Sequence, residues 1–142
     1  MTAKRVLIAL IAAGMSTLLA PAPVAAHHSF AAEYDPNKPI TLTGTVNRML
    51  WSNPHGHLYV DSKGPDDKVI EWQIEFGAPG SLIRRGFRKT DLPVGAVVTV
   101  RGFLAKDGTP TLNASTVKLA DGRELFAGSS GNGAPGDPGP NR

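Results

Sequence analysis

From Ile40 onward, apolar and polar side chains alternate with a period of two over most of the chain, the spacing that sends one face of a strand into a core and the other into water. Ile40, Leu42, Gly44 and Val46 alternate with Thr41, Thr43, Thr45 and Asn47, which predicts a first strand running to about Leu50. After the Ser52-Asn53-Pro54 turn, Leu58 and Val60 face one way and His55, His57, Tyr59 and Asp61 the other, a second strand that ends near Ser62. A polar turn from Lys63 to Lys68 leads into a third strand, where Ile70, Trp72, Ile74 and Phe76 alternate with Glu71, Gln73 and Glu75. Pro79 and Gly86 then bracket about two turns of helix containing Leu82 and Ile83. A fourth strand spans Ala96 to Ala105. Asp107-Gly108 marks a hairpin into a fifth from Thr111 to Leu119, and Asp121-Gly122 a turn before Glu124-Leu125-Phe126.

Three strands, a short helix and two further strands predict a mainly β fold, a five-stranded OB-like antiparallel barrel with one short helix between strands three and four. An open antiparallel α+β sandwich satisfies the same alternation. Matching the apolar stripes of the second and third strands puts Val60 opposite Ile70 and Leu58 opposite Trp72. It also puts His57 opposite Gln73 and His55 opposite Glu75 on the outer face, which in OB barrels is the usual ligand surface. Trp51 and Trp72 read as packing residues rather than a ligand platform.

The ends of the chain depart from this pattern. Lys4-Arg5, the apolar run Val6 to Ala20 and the small residues up to Ala26 have the order of a secretory signal peptide, and the run's 15 residues fall short of the roughly 20 that span a bilayer. Residues 1–26 are therefore expected to be a cleaved leader. Residues 27–39 form an N-terminal arm with Phe30 and Tyr34 as its large anchors, and residues 40–126 the barrel domain. Residues 127–142, with five glycines and three prolines in 16 positions, form a tail too poor in apolar surface to order itself.

Composition narrows the partners. The chain has 142 residues, no cysteine and a net charge of +3, which falls to +1 when Lys4 and Arg5 leave with the leader. A nearly neutral mature protein gives no bulk electrostatic argument for binding nucleic acid or an anionic membrane, and with the leader removed no stable membrane insertion is expected. Without cysteine there is no disulfide framework and stability must come from the core; the leader makes a Gram-negative periplasm the expected compartment. Arg84, Arg85, Arg88 and Lys89 follow the helix, where cations complement its negative end.

The four histidines fall in two pairs, His27-His28 and His55/His57, and in a strand the latter share a face about 7 Å apart. Cleavage after Ala26 makes the α-amine and ring of His27 a chelating pair, which a further imidazole from His28, His55 or His57 completes as a three-nitrogen set. Cleavage one residue earlier gives Ala26-His27-His28, an amine-X-His motif suited to square-planar Cu(II) or Ni(II). Nitrogen donors without cysteine favour Cu(II), Ni(II) or Zn(II). His27, His28, His55 and His57 are the candidate metal ligands, with Gln73 and Glu75 as residues that orient them. The alternative is a metal-free OB-like adaptor for a periplasmic partner protein or a glycan. Ser29, Ser52 and Ser81 lack a nucleophile's setting, and Glu71 and Glu75 are expected on an open surface, so the chain does not read as an enzyme.

His27-His28-Ser29-Phe30, Gly44-Thr45-Val46, Trp51-Ser52-Asn53-Pro54-His55, Trp72, Leu82-Ile83-Arg84-Arg85-Gly86, Leu92-Pro93-Val94-Gly95 and Asp121-Gly122-Arg123 together resemble a family of small exported proteobacterial proteins known as a domain of unknown function. The resemblance spans the chain between leader and tail. It implies export and the extent of the domain, and supplies no catalytic residue.

Overall fold

The computed structural model describes residues 30–129 and 134–136. A single helical turn, α1 (Phe30–Glu33), runs directly into the long strand β1 (Tyr34–Leu50). There follow β2 (His57–Lys63), β3 (Val69–Glu75), α2 (Pro79–Arg84), a 3-10 turn (Lys89–Asp91), β4 (Val97–Ala105), β5 (Thr111–Lys118) and β6 (Glu124–Phe126). Hydrogen-bonded neighbours run β3-β2-β1-β4-β5-β6, and a short parallel pairing of β3 with β5 links the two flanks, so the succession of five strands returns to its start. That is the expected OB-like order, with α2 between β3 and β4; β6 adds a sixth strand, antiparallel to β5.

The apolar positions of the alternation make the core. Leu58, Val60, Ile74, Phe76, Val98, Val100, Leu112 and Val117 are buried from the strands, and Leu82 and Phe87 close one end from α2 and the segment after it. Trp51 sits edge-on to Phe87 with ring centroids 5.8 Å apart. Both tryptophans pack against the core while staying half-buried; Ile70 and Leu104, which the alternation alone places fully inside, are also only half-buried. Gly44 and Gly102 lie where strands close tightly: a Cβ at Gly102 would meet the carbonyl oxygen of Asn113, and one at Gly44 that of Asp61.

The β2–β3 register differs by two residues from the one that stripe matching predicts. Val60 faces Trp72, Leu58 faces Ile74, Tyr59 faces Gln73 and His57 faces Glu75. A two-residue slip leaves every side chain on its expected face, so burial cannot distinguish the two registers; the turn does. Lys63 pairs with Val69, the intervening residues close through Gly64 N–H to Lys68 O at 2.9 Å, and Asp67 takes a left-handed φ of 59°. The expected register would have left only three residues in that turn.

The folded part also extends beyond the expected bounds of 40 and 126. Phe30 and Tyr34 are buried in a second cluster with Ala105, Phe103 and Ala134. Phe103 and Ala105 lie on the face of β4 opposite Val98 and Val100, so this cluster is built on the outside of the barrel-like sheet. At the other end Ala127, Gly128 and Ser129, assigned by composition to the tail, are buried, and Ala127 N–H donates to Ser115 O at 2.9 Å. Backbone hydrogen bonding orders these small residues where apolar content gave no sign of it.

Candidate functional site

The outer face of β3 carries Glu75 one position before the core residue Phe76. The strands beside it bring His57 across from β2 and Asn113 across from β5. Two further groups reach the same carboxylate. Tyr34, at the head of β1, donates its hydroxyl to Glu75 Oε2 at 2.9 Å. His55, in the loop before β2, places Nδ1 2.6 Å from Glu75 Oε1, and the same oxygen accepts from Asn113 Nδ2 at 3.1 Å. The loop is held there by its backbone: Phe76 N–H donates to Gly56 O at 2.7 Å, and Trp51 is anchored on Phe87.

The site is enclosed to different degrees. Asn113 is 1% exposed, and the Glu75 side chain 13% against 27% for His55. The phenol of Tyr34 is covered by the α1 segment, whose Phe30 ring stacks on it at 5.7 Å. Glu75 was expected on open surface; it is instead a shielded carboxylate with three donors. Burial pushes its carboxyl up, but the hydrogen bond and charge of His55 and the hydroxyl of Tyr34 outweigh that, and the net position is below the ordinary carboxylate range. For His55 the hydrogen bond to Glu75 outweighs burial and raises the imidazole above its ordinary value. Burial, then the adjacent Glu75 charge, drives the Tyr34 phenol far up, so it stays a protonated donor. The group is thus a carboxylate that fixes an imidazole through Nδ1 and leaves Nε2 as the ring nitrogen outside that contact. Asn113 Oδ1 is buried with no hydrogen-bond partner among the described residues.

Of the sequence-derived candidates, His55, His57 and Glu75 come together. The contact of His55 with Glu75 was expected from strand pairing, yet His57 is the residue that pairs with Glu75, and His55 arrives from the loop. Gln73 faces Tyr59 rather than His57. His27 and His28 lie outside the described residues. Tyr34 and Asn113 were not singled out from sequence: Tyr34 reads only as an apolar anchor, and the one signal at Asn113 is an amide inside a run of strand formers. Among the described residues, no three His, Cys, Asp or Glu side chains converge to hold a metal by themselves.

A cleft of about 290 Å³ adjoins the phenol, lined by Ala32, Glu33, Tyr34, Ala105, Lys106, Asp107, Thr109 and Thr111. Further along the outer face, the Arg48 guanidinium lies 3.9 Å above the Tyr59 ring. Beside Arg48 a groove of about 450 Å³ is lined by Asn47, Met49, Lys89, Thr90, Leu92, Pro93 and Val94.

A family model described as a family of unknown function (DUF6152) matches residues 16–113. The chain belongs to that family. The matched span takes in both histidine pairs and Tyr34, Glu75 and Asn113. No curated protein and no solved structure matches the chain.

Proposed function

We propose that this family member is an exported, periplasmic protein that binds Cu(II) or a similar divalent transition metal through His55, His57 and the N-terminal His27 and His28. The observation that carries the reading is the 2.6 Å contact of His55 Nδ1 with the shielded Glu75 carboxylate. A carboxylate on one ring nitrogen fixes the tautomer and raises the basicity of the other, the arrangement that accompanies metal-bound histidine. His57 stands across from the same carboxylate, and the arm that begins with His27 continues into Phe30 and Tyr34, which pack on this face. Nitrogen donors of this kind follow the order that favours Cu(II) among divalent ions. Glu75 is the residue that orients His55 in this reading, while Gln73 stands across from Tyr59 rather than His57.

Equilibrium dialysis of protein beginning at His27 against Cu(II), Ni(II) and Zn(II) tests this. The expected result is one metal per chain, with His55→Ala and His57→Ala each weakening binding at least about tenfold. A stoichiometry near zero at micromolar metal refutes it. In that case the second reading leads, a metal-free adaptor for a partner protein or glycan, supported by the Arg48–Tyr59 stack and the groove beside it.

A further inference from the structure

Glu75 divides its two oxygens between separate parts of the chain. Oε1 takes His55 from the loop that precedes β2, with Asn113 from β5 on the same atom; Oε2 takes Tyr34, the residue that joins α1 to β1. Beyond that hydroxyl, apolar contacts hold the α1 segment. Phe30 is 3% exposed, stacks on Tyr34 and meets Phe103 of β4 edge-on at 5.4 Å. Two polar ties secure α1 to the turn after β4: Lys106 N–H donates to Glu33 O at 2.9 Å, and Lys106 Nζ to Ala31 O at 2.6 Å. Apolar contacts fix that the segment lies on this face but tolerate sliding and rotation, whereas a 2.9 Å hydroxyl–carboxylate bond does not. The carboxylate that Tyr34 selects is the one that already holds the loop imidazole.

We propose that Tyr34 is a positioning residue, and that the chain Tyr34–Glu75–His55 is a latch that sets the α1 segment in register with the His55 loop. Its consequence for metal binding rests on the reading given above. The segment that the latch fixes is α1 with Tyr34, held on the one carboxylate that also takes His55. Locking that segment against Glu75 holds the carboxylate that in turn fixes the His55 ring, and lowers the ordering entropy that binding must overcome. The hydroxyl of Tyr34 touches no metal in this scheme; it acts through Glu75.

Tyr34→Phe removes the hydroxyl and keeps the ring contacts with Phe30. Two readouts separate the latch from the metal reading. In metal-free protein, hydrogen exchange at the Lys106 amide, which bonds to Glu33 O, and at the Phe76 amide, which bonds to Gly56 O, is expected to accelerate at least about fivefold, because local opening tracks the contacts that close it. In protein beginning at His27, Cu(II) affinity is expected to fall about three- to tenfold, less than the roughly 10–100-fold that accompanies loss of a ligand's direct orienting partner. Glu75→Gln, which retains one carbonyl oxygen, is expected to give a partial version of both effects and guards against a folding defect peculiar to the phenylalanine variant. Unchanged exchange at both amides in both variants overturns the latch, whatever the metal result. Faster exchange with wild-type protein that binds no Cu(II) upholds the latch and overturns the metal reading. Faster exchange with equal Cu(II) affinity in wild type and Tyr34→Phe overturns the positioning role.

Discussion

Glu75→Ala deletes the acceptor that three side chains share, and the structure fixes how much that costs. His55, whose side chain is 27% exposed, can turn to water, so its loss is small. Tyr34 and Asn113, at 4% and 1% exposure, cannot, and each is left with a buried polar group unpaired. An unsatisfied buried donor costs about 1–3 kcal/mol, and relief of the carboxylate's own desolvation returns part of this, so the net loss is about 2–4 kcal/mol. For a domain of this size that is a fall in Tm of roughly 10–20 °C. Urea unfolding in chelator-treated buffer, followed by the fluorescence of Trp51 and Trp72, measures it. Glu75→Gln retains one acceptor and is expected to lose only about 1 kcal/mol. If Glu75→Ala unfolds within about 0.5 kcal/mol of wild type, the range of an ordinary surface substitution, the carboxylate is not the hub that its three contacts imply.

The pH dependence has a definite sign. Glu75 is held below its ordinary 4.5, so its contribution is full above that value and is lost as pH falls through its folded pKa; His55 is held above its ordinary 6.5, so its contribution is full below that value and is lost as pH rises through its folded pKa. In metal-free protein the stability gap between wild type and His55→Gln is therefore expected to peak between these two values and to shrink toward pH 3 and pH 9; a gap that grows steadily to pH 9 contradicts the pairing. Gly102→Ala drives a Cβ into the Asn113 carbonyl and is expected to cost about 1–3 kcal/mol or more in urea unfolding, with no loss showing that β4 and β5 separate freely there. Truncation after Phe126 removes the hydrogen bonds of Ala127 with Ser115 and Gly77 and is expected to lower the urea midpoint by the equivalent of about 1–3 kcal/mol, whereas truncation after Ser129 keeps them; equal midpoints for the two would refute an ordering role for Ala127.

Strand order and core were legible because alternation and turn residues report directly on burial. Leu58, Val60, Ile74, Val98 and Val100 could be placed inside with no knowledge of the turn geometry. Register was not legible, because a period of two cannot tell a pairing from one slipped by two residues, and the deciding fact is the backbone of residues 64–68. The carboxylate partner of His55 was anticipated, but from a pairing that the chain does not make. Tyr34 escaped notice for a different reason. A lone aromatic before two prolines in a mixed stretch carries no periodic signal, and its meaning depends on a contact with Glu75 41 residues away in the chain. Asn113 is similar: it is buried where β5 lies between β3 and β4, across from Glu75 and Phe103, and no local pattern encodes that.

The arm changes what an outer sheet face can do. A carboxylate on an uncovered strand stays in water, where its attraction for an imidazole is screened and its preferred partners are solvent. Tyr34, with Phe30 stacked on it, shields Glu75 without entering the core, which is filled from the opposite faces of the strands. Shielding alone would favour a neutral carboxyl. The three donors reverse that preference and keep the charge, so cover and hydrogen bonding are jointly required. A shortened chain lacking residues up to Tyr34 would keep the barrel strands and both barrel histidines yet return Glu75 to water, and the His55–Glu75 contact would weaken to that of an exposed pair. Comparing His55 ring nitrogen shifts in that chain and in protein beginning at His27, both metal-free, tests whether cover or loop geometry holds the imidazole. Loss of the Nδ1–carboxylate signature on truncation is the expected result, and its persistence would assign the contact to the loop alone.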